Sequence, residues 1–226
     1  MKNHFLFGYF FLFCISSLRG QDRYQLGVIP QINNEFSLGD RYELNSKVEI
    51  RQLLKDGPSN LTAQKGFHFE RSDFETILNR KLSPLDVVGV GYLLRIEEGK
   101  LVHRFIQQYA HVQNKIGFRL AHRFRSDQTI TDNEWSFRIR YRLSFEKPLE
   151  GLEIDPKEFY LKINNEYLPT YAKKELDVEI RLLASLGYNL SDKMKFETGF
   201  DYRAEDIIAK NTEHQCWLNL GWFHSF

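Results

Sequence analysis

The chain has 226 residues, of which 42% are hydrophobic and 15% aromatic, and its 31 lysines and arginines nearly balance its 30 aspartates and glutamates. That balance gives no basic excess that would favour nucleic-acid binding. The mean hydropathy of −0.46 argues against a bundle of membrane-spanning helices, since each of these needs about 20 consecutive apolar residues.

The N-terminal segment has the features of an export signal. Lys2 precedes an apolar run rich in phenylalanine, which is too short for a membrane span, and small residues follow before Gln21. We therefore predict a signal peptide over residues 1–20 and a single β-barrel domain over residues 21–226. Cys216 is then the one cysteine of the exported chain, so no intramolecular disulfide is expected.

Eleven segments beyond this signal alternate between apolar and polar residues, as β-strands with one apolar face do. In chain order they cover residues 24–38, 42–54, 66–80, 86–96, 101–112, 116–125, 135–146, 158–166, 174–188, 194–204 and about 213–226. The first is interrupted by Pro30, and the third has no clean face. Because single-chain bacterial barrels have even strand numbers, we expect one of the eleven to be wrong. The pattern predicts an all-β fold, an antiparallel up-and-down transmembrane β-barrel of 10–12 strands.

The clearest alternation runs from Trp135 to Glu146. Its odd positions are apolar or aromatic and its even positions are polar, with three arginines among them. In a soluble sandwich the apolar face would be core, whereas in a membrane barrel it would contact lipid and the ionic face would line the lumen. The segment at 116–125 carries three more arginines, and we predict a polar loop at 126–134 between the two.

The final segment favours the membrane interpretation. It ends on Phe226, with Asn219 and Gly221 at alternating positions before it, an order that resembles the C-terminal assembly signal of Gram-negative outer-membrane barrels. His224 departs from that signal, in which an apolar residue is usual. We expect a porin-like, monomeric barrel in contact with outer-membrane lipid, inserted by the barrel assembly machinery acting on this last strand.

The charged faces of the strands form the predicted lumen lining. If the two arginine-rich segments are neighbours, like charges face one another, unless acids from other strands reach them across a narrow barrel. The lumen is then either closed by salt bridges, which the small size of such barrels favours, or a water-filled passage that favours anions. The predicted lining residues are Arg119, Arg123, Arg125, Arg138, Arg140, Arg142, Glu166, Asp177, Glu179, Arg181, Glu197, Asp201 and Arg203.

The sequence gives little support for metal binding, cofactor binding or catalysis. The seven histidines show no metal-site spacing, and no nucleotide-binding or serine-hydrolase motif occurs, so we predict no metal and no cofactor. Outer-membrane lipid hydrolases pair a histidine with a serine near the membrane rim, and His122, Ser136 and Ser144 are the candidates for such a pair. The Gly-Val-Gly of residues 89–91 predicts close packing, and aromatic residues such as Trp217 would form interfacial girdles.

Several stretches occur in an order shared with a known family. They are His103–Gln108, Phe118–Arg125, Phe137–Leu143 with Pro148-Leu149, Asn165-Glu166, Leu186–Tyr188 and a last strand that contains histidine. This order resembles the DUF2490 family of exported bacterial proteins of unknown function, over most of residues 24–226. The family is grouped with outer-membrane β-barrels, so the resemblance implies that fold and location. It supplies no catalytic residues.

Three functions remain open at this point. The first is a non-enzymatic outer-membrane barrel, either structural or a narrow anion-favouring channel. The second is an outer-membrane lipid-modifying enzyme. The third is a soluble periplasmic ligand-binding barrel, in which the same apolar residues would point inward.

Overall fold

The computed structural model describes residues 23–58, 64–132, 134–208 and 212–226, so the predicted signal peptide over residues 1–20 lies outside the described part. Over these ranges, eleven strands close into one barrel. They are β1 (Arg23–Ser37), β2 (Tyr42–Pro58), β3 (Gln64–Lys81), β4 (Asp86–Glu97), β5 (Lys100–Lys115), β6 (Phe118–Thr131), β7 (Glu134–Pro148), β8 (Glu158–Ala172), β9 (Glu175–Ser191), β10 (Met194–Glu205) and β11 (Glu213–Ser225). No helix within the same ranges has the length and apolarity needed to cross a membrane.

The barrel closes through a parallel pair of strands. Consecutive strands pair antiparallel, but β1 and β11 run in the same direction, with Arg23 opposite Glu213 and Glu35 opposite Ser225. The expectation that one of eleven segments is false was therefore wrong, since both irregular segments are complete strands. An even strand number is required only if every pair is antiparallel, and a parallel pair satisfies backbone hydrogen bonds at the seam equally well.

Because the strand number is odd, the first and last strands place their chain ends at opposite rims of the barrel. We call the rim where β1 begins the N-rim, and the rim where β11 ends the C-rim. Arg23 lies at the N-rim, whereas Phe226 lies at the C-rim, where its backbone N–H donates to Glu35 O at 2.8 Å. Pro30 does not interrupt β1 and stays in register with Leu220.

Strand alternation places apolar side chains on the outer wall and charged ones on the inner wall. Ile139 and Val90 are 63% and 60% exposed, whereas Arg140 is 8% exposed. The segment at 101–112, whose faces the sequence leaves unassigned, directs Phe105 outward and Arg104 inward. The interpretation as a soluble barrel with those apolar residues in its interior is therefore wrong.

One small apolar cluster lies inside the wall, beside the parallel seam. Trp217 is fully buried against Ile29 and Leu53, and its Nε1 donates to Gln215 Oε1 at 3.0 Å. The guanidinium of Arg51 lies 5.5 Å from the centre of its ring. The prediction that Trp217 belongs to an outer aromatic girdle is wrong, because its odd position in β11 faces the lumen.

Glycines allow close packing at a second apolar cluster, which is formed by Ile77, Leu93 and Ile106. A Cβ atom at Gly91 would lie 2.6 Å from Ile77 Cγ1, closer than van der Waals contact permits. The prediction of close packing at residues 89–91 is therefore confirmed.

We expect Trp217→Ala to lower the free energy of unfolding by about 3–5 kcal/mol, because it leaves a cavity inside a wall that cannot collapse. Equilibrium urea unfolding of the detergent-folded protein measures the change. Trp222→Ala is the matched control, since this outward tryptophan is half exposed and its loss leaves no internal cavity. Equal effects of the two substitutions would contradict the inward position of Trp217.

Candidate functional site

The lumen contains two cavities, one near each rim. The C-rim chamber has a volume of about 400 Å³ and extends to Asn33, Asn45 and Ser225 at that rim. The N-rim chamber has a volume of about 200 Å³ and reaches Arg71, Arg104 and other residues nearer the N-rim. Charged and polar side chains form most of both linings, so the lumen is a candidate site for hydrophilic solutes rather than for apolar ligands.

A layer of charged side chains lies between the two chambers. We define this ion-pair layer as the residues that line both chambers: Lys47, Glu49, Arg51, Glu75, Arg125, Arg140 and Arg181. Glu49 accepts hydrogen bonds from Lys47 and Arg51, each at 3.1 Å. Arg125 reaches across the barrel from β6 to Glu75 of β3, at 2.6 Å. The layer thus connects strands that are not neighbours, such as β3 and β6, through salt bridges inside the barrel.

The arginines of β6 and β7 lie directly opposite one another, as expected if the two arginine-rich segments are neighbouring strands. Arg123 lies opposite Arg142, and Arg125 lies opposite Arg140. Such pairs of like charges are destabilising unless an acid is placed between them. Asp127, which lies opposite Arg138, is one such acid, and it completes the contact between the two strands.

Asp127 is the central acid of this wall, and sequence reasoning missed it. Its side chain is fully buried, and its carboxylate accepts hydrogen bonds from Arg125 Nε at 2.7 Å and Arg138 Nη2 at 2.9 Å. Arg140 Nη2 is 3.5 Å away. The predicted polar loop at 126–134 is wrong, since β6 continues to Thr131. Asp127 continues the series of polar residues on the inner face of β6. Ser126 on the outer face is polar as well, so the sequence no longer distinguishes an apolar face from a polar one.

Glu166 is the second acid that neutralises the arginine wall. It pairs with Arg142 and lies 3.7 Å from Arg123, 3.9 Å from Arg140 and 3.8 Å from Arg181. A single buried carboxylate thus contacts arginines from β6, β7 and β9. The predicted meeting of acids with the basic wall therefore takes place at Glu166.

Most of the predicted lining acids on β9 and β10 pair with residues of their own strand or of β8. Asp201 accepts a hydrogen bond from Arg203 two residues along β10, at 2.6 Å, and Glu179 pairs with Arg181 in the same way. Glu197 accepts hydrogen bonds from Lys162 and from the Tyr160 hydroxyl, each at 2.8 Å. These seven residues lie on the lumen side, but the structure does not bring the acids among them into salt bridges with the arginines of β6 and β7.

Two predicted lining residues lie at the rims instead of the mid-lumen. Half of the Arg119 side chain is exposed at the C-rim, 3.9 Å from Glu146. Asp177 lies near the N-rim, and its carboxylate accepts the backbone N–H of Asp206 at 3.1 Å. Burial, and then the adjacent Asp177 carboxylate, raise the pKa of the Asp206 carboxyl above its ordinary value.

The candidate hydrolase residues do not meet. His122 faces outward, where its Nδ1 lies 2.9 Å from the Tyr141 hydroxyl. Ser136 and Ser144 occupy even positions of β7, on the inner face shared with Arg140, so the barrel wall separates them from the histidine. Across the described ranges, no group of three or more His, Cys, Asp or Glu side chains is arranged to hold a metal ion.

Asp127→Asn should lower the free energy of unfolding by about 3–5 kcal/mol, because it leaves buried arginines without their central carboxylate. Chemical denaturation of the folded barrel measures this loss. Asp132→Asn provides the matched control, since this exposed acid pairs with exposed Lys100 and its loss should cost less than about 0.5 kcal/mol. If the two substitutions cost the same, Asp127 does not have the stabilising role described.

Comparisons with known proteins identify a family but no activity. No curated protein matches the chain. The solved structure of the siderophore receptor PirA from Pseudomonas aeruginosa is similar to it at 14% sequence identity, with a TM-score of 0.30. That similarity covers 76% of this chain but only 32% of the receptor, and it is too weak to inform function. Residues 27–216 match the family described as protein of unknown function, DUF2490. The resemblance seen in the sequence is thereby confirmed, and the chain belongs to the DUF2490 family.

Proposed function

We propose that the protein is a non-enzymatic outer-membrane β-barrel whose lumen is closed by the ion-pair layer, so that its role is structural and not that of an open porin. The observation that carries this proposal is the position of the layer, whose seven residues line both chambers.

The outer wall supports the membrane location. Large apolar side chains are exposed on every strand, for example Val90, Phe105 and Leu218, and together they surround the barrel. Outward charged residues such as Arg80 and Lys147 occur near strand ends. A continuous apolar surface of this kind is far larger than soluble monomers expose, and it matches the apolar band of transmembrane barrels.

The charges of the lumen support a closed state. Mid-height arginines are held by buried acids, as Arg125 is by Asp127 and Glu75, and such networks keep their geometry because breaking one contact leaves a buried charge unpaired. The C-rim chamber is lined by nine lysines and arginines against six acids. If the layer opens, this excess of cations makes the passage selective for anions.

The closed barrel also bears on the oligomeric state and on insertion into the membrane. We infer that the protein is a monomer, because closure leaves no unpaired strand edge along which a second copy could add. The barrel assembly machinery would engage the last strand, whose neighbouring Phe226 stacks on Phe36 at a ring distance of 4.7 Å.

A charged side chain introduced on the apolar outer wall should prevent insertion of the barrel into a membrane. Ile139→Lys places an ammonium on the apolar outer wall at mid-strand, which costs about 2–4 kcal/mol near the midplane of a bilayer. We expect a lower folded yield in lipid vesicles, measured by the heat-dependent shift in electrophoretic mobility. Leu149→Lys, in the exposed connection after β7, is the matched control and should fold like the parent. Normal insertion of Ile139→Lys would exclude lipid contact at that face.

Planar-bilayer recordings under a KCl gradient test the closed lumen. The parent protein should be silent, whereas Arg140→Ala should give discrete steps with an anion-biased reversal potential. The substitution removes a side chain that separates the chambers, yet it leaves Asp127 and Glu166 with other arginine partners. Lys173→Ala, in an exposed turn, is the control and should stay silent. Porin-sized steps from the parent would show that the lumen is open.

A further inference from the structure

We propose that the N-rim chamber is a binding site for a small free oxyanion of the phosphate type, held by Arg104 together with Arg138 and Arg140. This site is independent of whether the lumen conducts, since it is a property of the N-rim chamber alone.

Arg104 is a buried arginine that forms no salt bridge with an acid of the described residues, although Asp127 bears on it electrostatically from a greater distance. Its side chain lines the N-rim chamber and is 7% exposed. Its Nε donates to Thr129 Oγ1 at 2.9 Å, and no carboxylate among the described residues lies within salt-bridge distance of its guanidinium. A buried cation is costly unless a counter-charge accompanies it, so this position calls for an anion.

Neighbouring arginines differ from Arg104 in that acids already engage them. Arg95 forms two hydrogen bonds with Asp73, at 2.7 and 2.9 Å, and Arg71 donates to Glu97 at 3.0 Å. Those guanidinium groups are therefore occupied by the protein itself. Arg104 is the one arginine of this chamber lining, within the described chain, for which that is not so.

Arg138 and Arg140 supply the second side of the site. Both line the N-rim chamber together with Arg104. Arg138 shares Asp127 with two other arginines, and Arg140 has only long contacts, 3.5 Å to Asp127 and 3.9 Å to Glu166. The buried Nε of Arg140 has no hydrogen-bond partner among the described residues. Donor capacity therefore remains where the three arginines converge.

The chamber selects the class of ligand. Nine lysines and arginines line it against five acids, so the lining itself is cationic. Planar guanidinium groups bind tetrahedral oxyanions through paired hydrogen bonds, and several together suit phosphate or diphosphate. A volume of about 200 Å³ accommodates such an anion with water. Leu93 is the one apolar side chain of this lining, so an acyl chain would find no apolar wall, and the ligand is a free anion rather than a lipid headgroup.

Isothermal titration calorimetry of the detergent-folded full chain with inorganic pyrophosphate tests the site, with NaCl used to hold ionic strength constant. The parent protein should show saturable binding. Arg104→Gln should bind about tenfold more weakly or worse, because it removes a charge-assisted hydrogen-bond donor. Arg119→Gln is the matched control: it removes the same charge from the other rim, lines neither chamber, and should bind like the parent.

The outcomes separate the site from general electrostatic attraction. Absence of saturable binding by the parent, or equal weakening in Arg104→Gln and Arg119→Gln, overturns the proposal. If Arg104→Gln fails to fold, Arg104→Lys is titrated in its place, since it keeps the charge but loses the planar fork, and weaker binding is again expected. Unchanged binding by that variant also overturns the proposal. Silence in bilayers has no bearing on any of these results.

Discussion

The structure depends on neutralising charge inside a narrow barrel whose outer wall is apolar. Away from the strand ends, charged side chains face the lumen, where an unpaired buried charge is costly. Asp127 meets this requirement at the most crowded point, because it sits among arginines that face one another across β6 and β7. That contact offsets the repulsion between arginines that the pairing of β6 with β7 would otherwise create.

Charge balance is achieved partly along single strands and partly between strands. Arg125 with Asp127, Arg181 with Glu179, Arg203 with Asp201 and Arg51 with Glu49 are all pairs two residues apart. Side chains two apart lie on the same face of a strand, so these four strands carry part of their own compensation into the barrel. Cross-lumen contacts such as Arg125 with Glu75 then lock the strands into one closed arrangement.

Period-two alternation was enough to locate the eleven strands and to predict the inward position of most lining residues, whereas the family was inferred from stretches that resemble those of its members. Residues 126–131 were missed because Ser126 and Gln128 are polar on the outer face, so the alternation that marks a strand disappears there. Trp217 was misplaced because an aromatic residue in a strand suits either face, and its inward partners, Gly27 and Arg51, are distant in sequence. The parallel seam was not foreseen because it joins strands from opposite ends of the chain, and no local pattern records such a pairing.

The parallel seam between β1 and β11 restricts circular permutation of the chain. Arg23 and Phe226 lie at opposite rims, and the paired part of β1 from Arg23 to Glu35 extends about 40 Å at roughly 3.3 Å per residue. A circular permutant would therefore need a linker that crosses the full height of the barrel, outside through lipid or inside through the charged lumen. A short hairpin between the chain ends, which suffices in even-stranded barrels, cannot span that distance here.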